Sequence, residues 1–225
     1  SPDFWDARAG GQVDGARALR QPGSALKPFT YGLALQSGAY TPASILPDLN
    51  LQIIEAGGAF SPENYDKTFH GPVPLREALA SSFNVPAVRL VREMGPERLL
   101  GLLRQSGFAS LDRPAGHYGV GLTLGNGEIH MTELARAYAG LARGGTLPPL
   151  HTVRRVVTAT GDTLRPALTP PQPMGLSPAV AYALVDILSD PEAREPGFGR
   201  GGPLELPFPV AVKTGTSKDY RDNWA

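Results

Sequence analysis

The chain contains no cysteine. That excludes disulfides, thiolate metal sites and cysteine nucleophiles, and it fits a reducing or an oxidising compartment equally. No apolar run approaches the roughly 18 residues of a membrane span, and the opening Ser1-Pro-Asp-Phe is not a signal peptide. Any anchor or export signal is expected outside these residues. Net charge is also missing: 21 basic residues balance 21 acidic ones, so nothing points to nucleic acid. Lysine is scarce, with Lys27, Lys67, Lys213 and Lys218 set against an excess of arginine. Arginine keeps its proton at neutral pH whereas a buried lysine can lose it, so each lysine is a candidate for chemistry. Genomic preference for arginine explains most of the bias.

What is present is a chain of 225 residues, 41% hydrophobic and 19% charged, enough to bury a sizeable core in one large domain. Leu26, Phe29, Leu33 and Leu35 recur near one face, predicting a helix from Ser24 to about Gln36, with Ser24 at the N-cap and Pro28 in the first turn. Residues 40–73 read as a long loop with small strands. Helices are expected over 74–82, 87–93, 97–105 and 131–143, the last closed by Gly144-Gly145. A hairpin turning at Thr160-Gly-Asp162, a proline-rich link over 166–173 and a helix capped by Ser177 follow. Residues 191–207 read as a loop and 209–216 as a strand. Asp222 to Ala225 reads as the start of another strand.

Three short motifs occur in order: Ser24-Ala-Leu-Lys27, Ser82-Phe-Asn84 and Lys213-Thr-Gly-Thr216. Three residues apart on a helix, Ser24 and Lys27 share a face. A serine hydroxyl attacks only when a base takes its proton, and a desolvated lysine can be that base. Ser82 and Asn84, in a break between helices, can relay a proton and hold an amide. Lys213 offers a positive charge, Thr214 and Thr216 offer hydroxyls, Gly215 allows close backbone approach, and the Thr216 N–H can serve an oxyanion hole. Taken singly, Ser24 with Lys27 reads as a helix cap plus a surface lysine, and Ser82 with Asn84 as a helix terminus. Lys-Thr-Gly arises by chance in about one chain in twenty of this size. The order and context of the three lift the set above its parts.

The set resembles the motifs of penicillin-binding proteins and serine β-lactamases. Arg20-Gln-Pro-Gly-Ser-Ala-Leu-Lys-Pro-Phe29, the stretch from Glu77 to Val88, Leu124-Gly-Asn-Gly-Glu128 and Ala135-Arg-Ala-Tyr-Ala139 are similar to class A, bifunctional members. Tyr31–Leu35, Pro42–Leu46, Phe69–Val73 and Tyr220–Ala225 most resemble the 1C subtype. The resemblance implies an α+β, β-lactamase/transpeptidase-like fold, a helical cluster packed on an antiparallel sheet. It also implies one partial transpeptidase domain over 1–225, truncated at both ends, with most sheet strands and the glycosyltransferase domain outside. As a free polypeptide such an excerpt is expected to expose a sheet edge and to be unstable.

The resemblance further implies a Ser24 acyl-enzyme formed on a D-Ala-D-Ala stem peptide and passed to an acceptor amine. Lys27 would act as base, Ser82 as proton shuttle and Asn84 as substrate holder. Lys213, Thr214 and Thr216 would receive the terminal carboxylate. β-Lactams would trap Ser24. No cofactor or metal is implied, and the scattered histidines show no ligand spacing. The implied location is the periplasmic face of the inner membrane, reached through an anchor outside the chain. Two alternatives stand beside this reading: a D,D-carboxypeptidase or β-lactamase-type hydrolase, and a penicillin sensor without turnover. A class A β-lactamase needs a Glu-x-x-Leu-Asn-like stretch after Ser82-Phe-Asn84, and the chain has none. His70 reads as structural, Leu124–Glu128 as a turn rather than a phosphate loop, and Glu63, Asp66 and Glu77 as surface carboxylates.

Overall fold

A computed structural model describes residues 3–55, 58–164 and 169–225, with the side chain of residue 55 left out. Its helices are α1 (Lys27–Gln36), α2 (Leu75–Ala80), α3 (Asn84–Met94), α4 (Pro96–Gln105), α5 (Ala115–Tyr118), α6 (Met131–Ala142), α7 (Pro178–Ser189) and α8 (Pro191–Phe198). Tight 3-10 turns cover Gly23–Leu26 and Gly119–Leu124. Strands among the described residues come as six two-stranded antiparallel pairs. This is the expected α+β arrangement, with its helical part dominant.

α1 runs through the middle of the cluster, touching α2, α3, α4 and α7. Its position explains a departure from the expected single apolar face. Lys27, Phe29, Thr30, Tyr31 and Ala34 are all fully buried, while Leu33 and Leu35 lie at the margins. A helix enclosed on every side has no solvent face to reserve for polar residues. Phe29 meets Phe108 and Tyr138 edge-on, at centroid distances of 5.1 and 6.2 Å. Thr30 and Thr123 satisfy each other inside the core through a 2.7 Å hydroxyl pair. Around α1 the helices are amphipathic. α3 buries Val85, Val88, Leu90 and Val91, and α4 buries Leu99, Leu100, Leu102 and Leu103, while Arg92, Glu93, Glu97, Arg98 and Arg104 face outward. Each such buried side chain contributes about 1.5–3 kcal/mol.

Several boundaries differ from expectation for local reasons. Pro86 does not precede α3 but sits in its first turn, where a missing N–H costs nothing. Residues 191–198 form α8 instead of a loop: Asp190 caps it, accepting from the N–H groups of Glu192 (3.0 Å) and Ala193 (3.1 Å), and Pro191 suits the first helical position. Ser177 caps α7 as expected. The strand expected over 209–216 is regular only at Gly215–Thr216, which pairs with Asn223–Trp224. The hairpin forms between Val156–Val157 and Thr163–Leu164. Residues 166–168 of the proline-rich link lie outside the described residues; its end, Gln172–Pro173, pairs with Thr146–Leu147. The long loop yields two pairs, Ile45–Asp48 with Gly71–Pro74 and Ile53–Glu55 with Gly58–Phe60.

Candidate active site

Ser24 is not an N-cap. It lies one turn earlier, inside the 3-10 turn Gly23–Leu26 that leads into α1. Two missing Cβ atoms seat that turn. A Cβ on Gly23, whose φ is +56°, would stand 2.2 Å from the Thr216 carbonyl oxygen, and one on Gly215 would stand 2.2 Å from that of Pro22. The backbone carrying Ser24 and the backbone carrying Thr216 therefore touch, which side chains at either position would prevent. Gly215 thus makes room for the serine turn. The Leu124–Glu128 segment forms the structural turn expected of it and supports the same region, with Gln21 Nε2 donating to the Asn126 carbonyl at 3.4 Å. The Tyr138 hydroxyl donates to the Ala25 carbonyl (2.8 Å), and Trp224 Nε1 to that of Gln21 (3.0 Å).

Ser24 is partly exposed and lines a cleft of about 780 Å³ together with Ser82, Asn84, Thr214 and Thr216. Lys27 and Lys213 lie buried beside it. Lys27 Nζ donates to the Ser82 carbonyl (2.5 Å) and to Asn84 Oδ1 (2.6 Å), and Ser82 Oγ is 3.4 Å away. Lys213 Nζ donates to Ser82 Oγ and to the Thr214 carbonyl, both at 2.8 Å. Ser82 is held between the two amines in a left-handed backbone conformation, φ +62°, rare for serine. All three motifs thus converge on the Ser82 hydroxyl.

The electrostatics follow from burial. Desolvation pulls Lys27 well below the ordinary lysine range, and the Lys213 charge lowers it further, against an opposing pull from Asp48. Desolvation brings Lys213 down to about 7. Two amines sharing one hydroxyl do not both hold a full charge cheaply, so one of them is available as a base at neutral pH. A neutral Lys27 amine has two N–H groups, matching the Ser82 and Asn84 oxygens, and a lone pair left for a hydroxyl proton.

Sequence reasoning missed the layer behind Asn84. Asn64 Oδ1 accepts from Asn84 N (2.8 Å), and Asn64 Nδ2 donates to the buried carboxylate of Asp48 (2.7 Å). His70 also donates to Asp48 and stacks on Phe83, with centroids 4.1 Å apart. Asp66 reaches the His70 ring from the other side at 3.0 Å. The available signal was phase: Asp48 shares the buried face of its strand with Leu46, where a carboxylate must find partners. Tyr65 and Tyr220 also line the cleft and meet edge-on at 6.3 Å; Tyr65 lies in none of the stretches the sequence singles out, and Tyr220 enters there only as the start of one that carries the resemblance.

Residues 16–223 match the family model described as the penicillin binding protein transpeptidase domain. The chain belongs to the penicillin-binding protein transpeptidase domain family. It is 34% identical to penicillin-binding protein 1C of Escherichia coli, over 100% of this chain and 27% of that protein. It is 31% identical to penicillin-binding protein 1A of Neisseria meningitidis, over 92% of this chain and 26% of that one. The class A, 1C-like resemblance is borne out, and the chain spans about a quarter of the length of these relatives. Among solved structures, PonA1 of Mycobacterium tuberculosis superposes with a TM-score of 0.73 at 27% identity, over 94% of this chain and 56% of that one. Penicillin-binding protein A of M. tuberculosis, solved as an imipenem acyl-enzyme, superposes at 0.77 with 22% identity, over 96% and 53%, and supports the fold. Among the described residues no helix is long and apolar enough to cross a membrane.

Proposed function

We propose that this domain is a serine D,D-transpeptidase that cross-links peptidoglycan stem peptides through an acyl-enzyme on Ser24. The observation that carries the reading is the convergence of Lys27 and Lys213 on Ser82 Oγ beside Ser24. Ser24 Oγ attacks the carbonyl carbon of the penultimate D-alanine while its proton passes to Lys27. Negative charge develops on the carbonyl oxygen, where the N–H groups of Ser24 and Thr216, on the two touching backbones, receive it. The C–N bond then breaks, and the Lys27 proton travels through Ser82 to the leaving amine of the terminal D-alanine. In the second half, an acceptor amine attacks the ester, Lys27 takes its proton, and the C–O bond breaks as Lys27 returns that proton to Ser24 Oγ. Lys213, with Thr214 and Thr216, holds the terminal carboxylate of the donor peptide or of a β-lactam. Asn84 holds the peptide amide.

Transfer to an amine is favoured over hydrolysis by the cleft lining. Among the described residues its one carboxylate is Asp219, largely exposed and 3.8 Å from Arg221, a poor base for activating water. Within the longer relatives' architecture, the domain would work on the periplasmic face, anchored through a segment outside these residues.

The test is labelling of the intact protein with fluorescent penicillin, with the adduct placed by mass spectrometry, beside transfer of a D-Ala-D-Ala donor to an amine. A stable adduct on Ser24, lost in Ser24→Ala, with a cross-linked product, is expected. An adduct that hydrolyses within seconds, releasing acid only, would replace the transferase by a hydrolase. An adduct without turnover would leave a sensor.

A further inference from the structure

Asp48 belongs to none of the three motifs, yet it is fully buried beneath them. Its Oδ2 accepts three hydrogen bonds: from Asn64 Nδ2 (2.7 Å), from His70 N (2.9 Å) and from His70 Nδ1 (2.7 Å). These contacts set Asn64. With Nδ2 directed at Asp48 and at the Thr68 carbonyl (2.8 Å), Asn64 must present Oδ1 to the N–H of Asn84 (2.8 Å). Asn84 Oδ1 in turn accepts from Lys27 Nζ (2.6 Å), and Asn84 Nδ2 donates to the Glu63 carbonyl (2.6 Å). His70 clamps the turn from the other side by stacking on Phe83 at an interplanar angle of 13°. We propose that Asp48 is a positioning residue for the acyl transfer: it acts through Asn64 and His70 to hold the Ser82–Asn84 turn against Lys27, and it steadies the ammonium formed when Lys27 takes the serine proton. This role rests on the transpeptidase reading of the site.

The second half of the role is electrostatic. Oδ1 of Asp48 is buried without a hydrogen-bond partner among the described residues. The carboxylate is therefore only partly compensated, and its field reaches α1, favouring the charged form of Lys27 and disfavouring the phenolate of Tyr31. The titratable or charged groups around this unit are Lys27 and Tyr31 on α1, Arg89 on α3, whose guanidinium donates to the Leu49 and Asn50 carbonyls (3.1 Å each), His70 and Asp66 on the loop, and Lys213 beyond Ser82. Asp48→Asn keeps the shape and an oxygen acceptor for Asn64 but removes the charge. Asp48→Ala removes both.

The experiment measures the second-order rate of acylation by fluorescent penicillin in the intact protein across pH 5 to 10, together with the melting temperature. Asp48→Asn is expected to lower the plateau by no more than about tenfold and to move the acid limb to lower pH, because Lys27 loses its proton more readily. Asp48→Ala is expected to lose about a hundredfold at every pH as the turn drifts. The Asn variant then rescues most of what the Ala variant loses. A plain packing role would lower stability in both variants and leave the acid limb in place, and that outcome overturns the proposal. Profiles that superimpose on wild type overturn it as well. A wild-type protein that takes no acyl group at Ser24 overturns the reading of the site itself, and this role with it.

Discussion

Gly215→Ala is the perturbation that most directly tests how the site is built. The added Cβ would lie 2.2 Å from the Pro22 carbonyl oxygen, 2.9 Å from the Ala25 nitrogen and 3.0 Å from the Ala25 Cβ. Two of these atoms are backbone and cannot rotate away. Reaching the 3.4 Å of ordinary van der Waals contact requires the strand to retreat from the serine turn by about 1 Å. Overpacking of this kind costs about 1–3 kcal/mol. The larger effect is geometric: the retreat separates the Thr216 N–H from the Ser24 turn and draws Lys213 away from Ser82. A misplacement of about 1 Å costs up to about a hundredfold in rate. The assay is fluorescent-penicillin acylation beside a thermal melt, with Gly101→Ala as control. Gly101 lies on the exposed face of α4 with nothing within 4 Å of an added Cβ, so that variant is expected to gain up to about 1 kcal/mol and to keep its rate. Should Gly215→Ala acylate within twofold of wild type in a fully folded protein, the backbone contact does not hold the site.

Three further outcomes follow from the same geometry. Lys27→Arg keeps a charge that cannot be given up, so acylation should fall by about a hundred- to ten-thousandfold at all pH, measured by adduct formation on Ser24. The acylation rate should decline as pH rises through about 7, where Lys213 loses its proton and with it the grip on a carboxylate, and this limb should vanish in Lys213→Met. Asp190→Ala removes the cap of α8 and the 2.9 Å contact from Arg76 Nε, and should cost about 2 kcal/mol in a denaturant titration.

Where a helix carried its own start and stop signals, the sequence was enough. Ser177 announced α7, and Gly144-Gly145 closed α6. Where a signal had two readings, it misled. Pro191 and Pro196 suggested a loop, yet Asp190 supplied the cap that makes Pro191 a helix start. The β-branched run before Lys213 suggested a strand, but strands need partners, and only Gly215–Thr216 has one among the described residues. The single apolar face expected of α1 failed because helices surround it, a fact of packing that no local pattern encodes.

The candidate site divides in the same way. Ser24, Lys27, Ser82, Asn84, Lys213, Thr214 and Thr216 were legible because three short spacings of chemically apt residues follow one another in a set order, and the structure brings all of them together. What stayed hidden is the support. Asp48 and Asn64 work through contacts between residues 16 or more apart in the chain, and their types are common in loops, so spacing says nothing of them. Burial reveals them, since a carboxylate with no exposed surface must be held by donors, and following those donors leads to Asn84 and then to Lys27. The groups that touch a substrate are constrained by its chemistry and leave a motif. The groups that hold them are constrained only by the fold, and emerge only when the polar atoms of the interior are traced partner by partner.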